Sequence, residues 1–104
     1  MNNLEVFNYE MGYTQHEFGR VLNSGFTNHQ SPYRCQPVST NGWLVTQLEH
    51  PLQVSILLTP LSPRVLGSIS LPVLQVKFSV KDATKQQSDD FFDKLFKYFH
   101  KGGG

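Results

Sequence analysis

Val73-Leu74-Gln75-Val76-Lys77-Phe78-Ser79-Val80, followed shortly by Phe91-Phe92-Asp93-Lys94-Leu95-Phe96-Lys97-Tyr98-Phe99, decides the fold of this chain. In the first segment Leu74, Val76, Phe78 and Val80 alternate with Gln75, Lys77 and Ser79. Neighbouring side chains on a strand point to opposite faces, so a period of two marks a strand with one buried and one wet face. In the second segment Phe91, Phe92, Leu95, Phe96 and Phe99 recur at steps of one, three and four, which is one face of a helix. Thr84-Lys85-Gln86-Gln87 has the pattern of a capping box at its start, with Ser88 as a rival start one turn later. Asp89, Asp90 and Asp93 precede Lys94, Lys97 and Lys101, the order that the helix dipole favours. A half-wet strand leading into an amphipathic helix predicts an antiparallel sheet with helices on one face.

The rest of the chain repeats these two patterns. Phe7, Tyr9 and Met11 alternate with Asn8 and Glu10, predicting a strand over residues 4 to 11. Thr14-Gln15-His16-Glu17 is a second capping box, with Tyr13 and Phe18 placed for a hydrophobic staple. Phe18, Val21, Leu22 and Phe26 line the face of the helix it opens, and Gly19 allows that helix to approach the sheet closely. Asn23-Ser24-Gly25 reads as its terminator. Three strands are expected next, over Tyr33–Val38, Trp43–Glu49 and Leu52–Thr59, with Asn41-Gly42 turning a hairpin between the first two. Pro60-Leu61-Ser62-Pro63-Arg64 reads as a rigid connector, because prolines cannot donate to the ladder of a central strand. Val65 to Ser70 is then a short strand or an extended arm.

The expected architecture is α+β: a largely antiparallel sheet of four to six strands with two helices packed on one face, in the order β-α-β-β-β-(β)-β-α. At 104 residues the chain is one domain spanning 1–104, with Gly102-Gly103-Gly104 as a tail. Gly102 is well suited to end the preceding helix, since glycine enters the left-handed region without strain. The final glycines resemble the diglycine terminus of ubiquitin-like and sulfur-carrier proteins, whose tail leaves a β-grasp core. The resemblance ends at those residues, because here the tail follows an aromatic helix and the element order is different.

Composition narrows the function classes. Nine Lys and Arg against eight Asp and Glu leave a net charge of +1, which provides no overall basic excess to drive phosphate-backbone binding. No nucleic-acid partner is therefore expected. The longest nearly uncharged stretch, Pro51 to Arg64, is broken by prolines and is shorter than the roughly 20 apolar residues of a membrane span. Met1-Asn2-Asn3-Leu4-Glu5 lacks the basic and apolar regions of a secretion signal. Together with the single Cys35, these features predict a cytoplasmic protein with no membrane partner.

Residue types and their spacing narrow the candidate sites. His16, His29, His50, His100 and Cys35 have none of the tight spacing of a metal site, and no nucleotide or hydrolase motif is present, so no metal and no cofactor are expected. Cys35 reads as a small core residue. Arg20, Arg64 and His16 are anion-binding candidates, because the planar guanidinium suits phosphate and carboxylate. Whether the chain is an enzyme stays open on this pattern. Leu57, Leu61, Val65, Leu66, Ile69 and Leu71 crowd a proline-punctuated stretch whose only charge is Arg64. They are the candidates for an interaction surface, either with a protein partner or in a homodimer. The leading expectation is a small, non-catalytic interaction or adaptor domain, and the alternative is a binding domain or enzyme using Arg20, Arg64 and His16.

Overall fold

The computed structural model describes residues 4–26 and 30–100, the side chain of His100 excepted. Its elements run β1 (Leu4–Met11), α1 (Gln15–Phe26), β2 (Tyr33–Ser39), β3 (Gly42–Gln47), β4 (Gln53–Leu66), β5 (Ile69–Lys81) and α2 (Lys85–His100). The strands form one sheet in the order β1-β5-β4-β3-β2, with every neighbouring pair antiparallel. The expected α+β class, element order and one-sided helical cover are all present. The glycine tail lies outside the described residues.

Both capping boxes form. Thr14 Oγ1 accepts from the Glu17 backbone N–H, and Glu17 Oε1 accepts from the Thr14 N–H. Thr84 and Gln87 make the same reciprocal pair at α2, so that helix starts after Thr84 and not at Ser88. Each box satisfies amide donors that the first helical turn leaves without partners. Tyr13 and Phe18 both pack on the Phe99 ring, which ties the start of α1 to the end of α2. The Tyr13 hydroxyl donates to the carbonyl of Phe99, one of the last-turn carbonyls that a helix cannot satisfy internally.

Helix α1 does not stop at Asn23-Ser24-Gly25 but continues to Phe26. Gly25 serves packing and not termination: a Cβ there would fall 2.7 Å from two ring carbons of Tyr98 on α2. Gly19 plays the expected part against the sheet, where a Cβ would come within 2.9 Å of Trp43 Cζ2.

The core lies between the sheet and the two helices. Val45, Val54, Ile56, Leu58, Leu74, Val76 and Phe78 from the strands meet Phe18, Leu22, Phe26, Phe91 and Leu95 from the helices. All thirteen aromatic residues of the chain are buried in this cluster or packed against it.

The connector expected at Pro60–Arg64 is instead continuous strand. β4 runs through Pro60 and Pro63, and β5 through Pro72. The pairing of β3 with β4 reaches only Leu57, and that of β1 with β5 only Leu74. Past those points β4 and β5 pair with each other alone, so each has a free outer edge where an absent donor breaks no ladder bond. Register shifts between Leu61 and Arg64, where Ser62-Pro63 adds one residue as a bulge. The turn is Gly67-Ser68, and of the two only Gly67 has positive φ, +62°. That is the signature of a type II′ turn, with glycine at its first central position. Fourteen residues of strand at ~3.4 Å each extend about 48 Å. This matches the 49 Å long axis of the molecule.

Candidate interaction surface

Strand register sorts the side chains into two faces. Val54, Ile56, Leu58, Leu74, Val76, Phe78 and Val80 point toward the helices and are buried. The alternate positions face away: Ser55, Leu57, Thr59 and Leu61 on β4, and Gln75, Lys77, Ser79 and Lys81 on β5. No described helix covers this second face, and most of its side chains are exposed or half-buried.

Beyond the body of the sheet, the paired ends of β4 and β5 form an overhanging ribbon. Leu61 pairs with Val73, Arg64 with Leu71 and Leu66 with Ile69, which puts all six on the side continuous with the uncovered face. Val65, paired with Ser70, lies on the back of the ribbon. The fractional exposures are 37% for Leu61, 67% for Val65, 58% for Leu66, 59% for Ile69 and 43% for Leu71. Five of the six interaction-surface candidates are thus on the ribbon, and Leu57 is exposed on the sheet face next to it.

The ribbon is protected against edge pairing. Leu58 N–H donates to the Asn41 carbonyl, away from β5. Asn41 Nδ2 also donates to the Leu58 carbonyl, closing the ladder at that point. Alternation along the strand puts the missing donor of Pro60 on the same outer edge. The same alternation puts that of Pro72 on the outer edge of β5. Proline on an exposed edge blocks strand addition.

The anion-binding candidates occupy two places. His16 and Arg20 are exposed on α1, four residues apart, with Glu17 between them in sequence. The Glu17 carboxyl is held below its usual value, first by its hydrogen bonds with Thr14 and then by the nearby charges of Arg20 and His16. Arg64 is on the ribbon and lines a small cleft of about 150 Å³ with Glu10, Met11, Gly12, Leu71, Pro72 and Val73. Neither His16 nor Arg20 lines that cleft.

Two other depressions flank the outer edge of the sheet. One, of about 380 Å³, is bordered by Phe26, Tyr33, Cys35, Arg34 and Leu48. Cys35 is half-buried there, and burial pushes its thiol up to about 11. Such a thiol is almost wholly protonated near neutrality and is a poor nucleophile. The other is shallow and runs from Tyr33 and Gln47 to Asp90, Asp93, Lys94 and Lys97. Burial, followed by the charges of Asp90 and Tyr98, raises the Tyr33 hydroxyl above its ordinary value. The Gln47 Oε1 atom is buried without a partner among the described residues.

Among the described residues no group of three His, Cys, Asp or Glu is arranged to hold a metal ion. No described helix is long and apolar enough to cross a membrane. Val73 and Lys81 carry no signal of a surface role in the sequence alone. Lys77 was legible as off-core by alternation, but its place beside the leucine row needs the β4–β5 register. Comparison with family models, curated proteins and solved structures gives no match.

Proposed function

We propose that the chain is a non-catalytic protein-interaction module that docks its partner through the β4–β5 ribbon. The observation carrying this reading is the row of Leu61, Leu66, Ile69 and Leu71 on one face of an overhang that the core does not use. Exposed aliphatics scattered singly are ordinary, but a contiguous row on a projecting element costs solubility and is characteristic of interaction surfaces. The edge prolines support contact through side chains over pairing through backbone. Anion binding at Arg20 and His16 is the weaker reading, because Glu17 already offers these cations a negative charge.

The test is photo-crosslinking in the cells that make the protein, with a photoreactive residue at Ile69 or, as a control, at exposed Gln86 on α2. A discrete adduct from position 69 that is absent from position 86 supports the ribbon, and a mass of two chains identifies a homodimer. Identical patterns from the two positions would refute the reading.

A further inference from the structure

We propose that the ribbon and the uncovered sheet face together bind an acidic amphipathic helix of a different protein. This deepens the reading of the ribbon as the docking element and rests on it. The uncovered face carries Arg34, Arg64, Lys77 and Lys81 by register, against the single acid Glu10. A chain of net charge +1 has therefore gathered nearly half of its nine cations on one face and left most acids elsewhere. Among the described residues none of these four cations is in an ion pair; the pair that forms there is Lys85–Asp89 on α2. Complementary charge guides encounter and selects partners.

Three alternatives fit this face less well. A second copy would bring the same four cations and single acid to the other side of the interface, so the charges of the two faces would not be complementary. A nucleic acid would find positive charge but no ring to stack on, because every aromatic residue packs with the core. An extended peptide would meet outer edges where Pro60 and Pro72 lack donors. A helix engages side chains and needs no edge. Leu61/Val73 and Leu66/Ile69 lie four β5 residues apart, about 14 Å at ~3.4 Å per residue. That length matches nine or ten helical residues at ~1.5 Å rise, enough for apolar anchors at i, i+3 or i+4, and i+7. Continuing to Lys77 roughly doubles the span and brings flanking acids of the partner over the lysine.

The experiment selects random 18-residue peptides displayed on phage against the purified full-length chain. The expected pool is enriched in acids flanking aliphatic residues at helical spacing. The expected behaviour is a loss of affinity of at least tenfold in Arg64→Glu, in Lys77→Glu and in Ile69→Asp, each with an unchanged Trp43 emission spectrum. Peptides that lose binding with Ile69→Asp but are neutral or basic, and indifferent to the two charge reversals, overturn the acidic partner and leave the ribbon standing. The same holds for a ribbon-dependent dimer by sedimentation, whereas oligonucleotide binding on this face overturns both readings. Peptides indifferent to Ile69→Asp, or no enrichment over an unrelated protein, overturn both readings.

Discussion

Excising the ribbon separates what the fold needs from what binding needs. The Leu58 N–H points away from β5, so alternation makes Leu61 and Val73 a hydrogen-bonded pair. A two-residue type I′ turn of Asn-Gly closes such a pair without splaying the strands. The perturbation is therefore replacement of residues 62–72, eleven in all, by Asn-Gly. Nine fewer ordered residues relieve on the order of 10 kcal/mol of conformational entropy at about 1 kcal/mol each. Against this stand Val65, Leu66, Ile69 and Leu71, each about a third to just over half buried within the ribbon. At ~1.5–3 kcal/mol for complete burial of such a side chain, they contribute about 4 kcal/mol together. The lost ladder hydrogen bonds add about 3 kcal/mol at ~1 kcal/mol each. The terms cancel to within a few kcal/mol, so the shortened chain should be no more than about 2 kcal/mol less stable than the original. Phe78→Ala, in the core, should cost ~3–5 kcal/mol by comparison. Urea unfolding followed through Trp43, the only tryptophan and a core residue, measures both. Binding of the selected peptides, read by fluorescence polarisation, should vanish in the shortened chain. A shortened chain that is unfolded, or destabilised as much as Phe78→Ala, would make the ribbon part of the fold. One that folds and still binds would refute the docking role.

Four further outcomes are expected. Gly25→Ala should lower stability by about 1 kcal/mol, because the gain in helix propensity is outweighed by overpacking against Tyr98, and a urea midpoint above the original would contradict that contact. Tyr13→Phe should cost ~1–1.5 kcal/mol by leaving the Phe99 carbonyl unpaired, with the loss read from urea curves. Because the Glu17 carboxyl is depressed in the fold, its stabilisation is present above its ordinary value of 4.5 and lost as pH falls through the folded value. Acid titration of the urea midpoint should therefore lose part of its slope in Glu17→Gln, whose amide keeps the cap but does not titrate. Cys35, with its thiol near 11, should react with a disulfide reagent at pH 8 far more slowly in native protein than in urea, and equal rates would count against its burial.

What was legible in the sequence was local. Thr14/Glu17 and Thr84/Gln87 close over three residues, so their geometry follows from spacing alone. The alternation of Leu74–Val80 is equally self-contained. Gly25 reads locally as a helix end because its reason is Tyr98, far along the chain on α2. In isolation Asn-Ser-Gly looks like a terminator, and only the approach of the second helix distinguishes a packing glycine from a capping one. Among the site residues, Arg20 and His16 fall one turn apart on α1. Their relation to Arg64 depends on which strand carries it and on which face, and no spacing rule reaches that far.

The prolines show how the same residue reverses its meaning with strand length. In sequence alone Pro60 and Pro63 read as ending a strand, since a central strand cannot spare donors. That inference is sound for the sheet body, where β3 pairs with β4 as far as Leu57. It fails one step further on, because the neighbours stop while β4 continues. Beyond Leu58 the outward amide has no partner to lose, and a proline there prevents another chain from adding to the edge. The leucine row has the opposite exposure problem: it is apolar where the edge is polar, and it lies exposed where the prolines repel a strand. An overhang that blocks backbone pairing while presenting aliphatic side chains, beside cations without an ion pair among the described residues, would be selective for how a partner approaches. A ribbon that docks in the proposed way would admit a surface that meets side chains, and acids on that surface would decide which one stays.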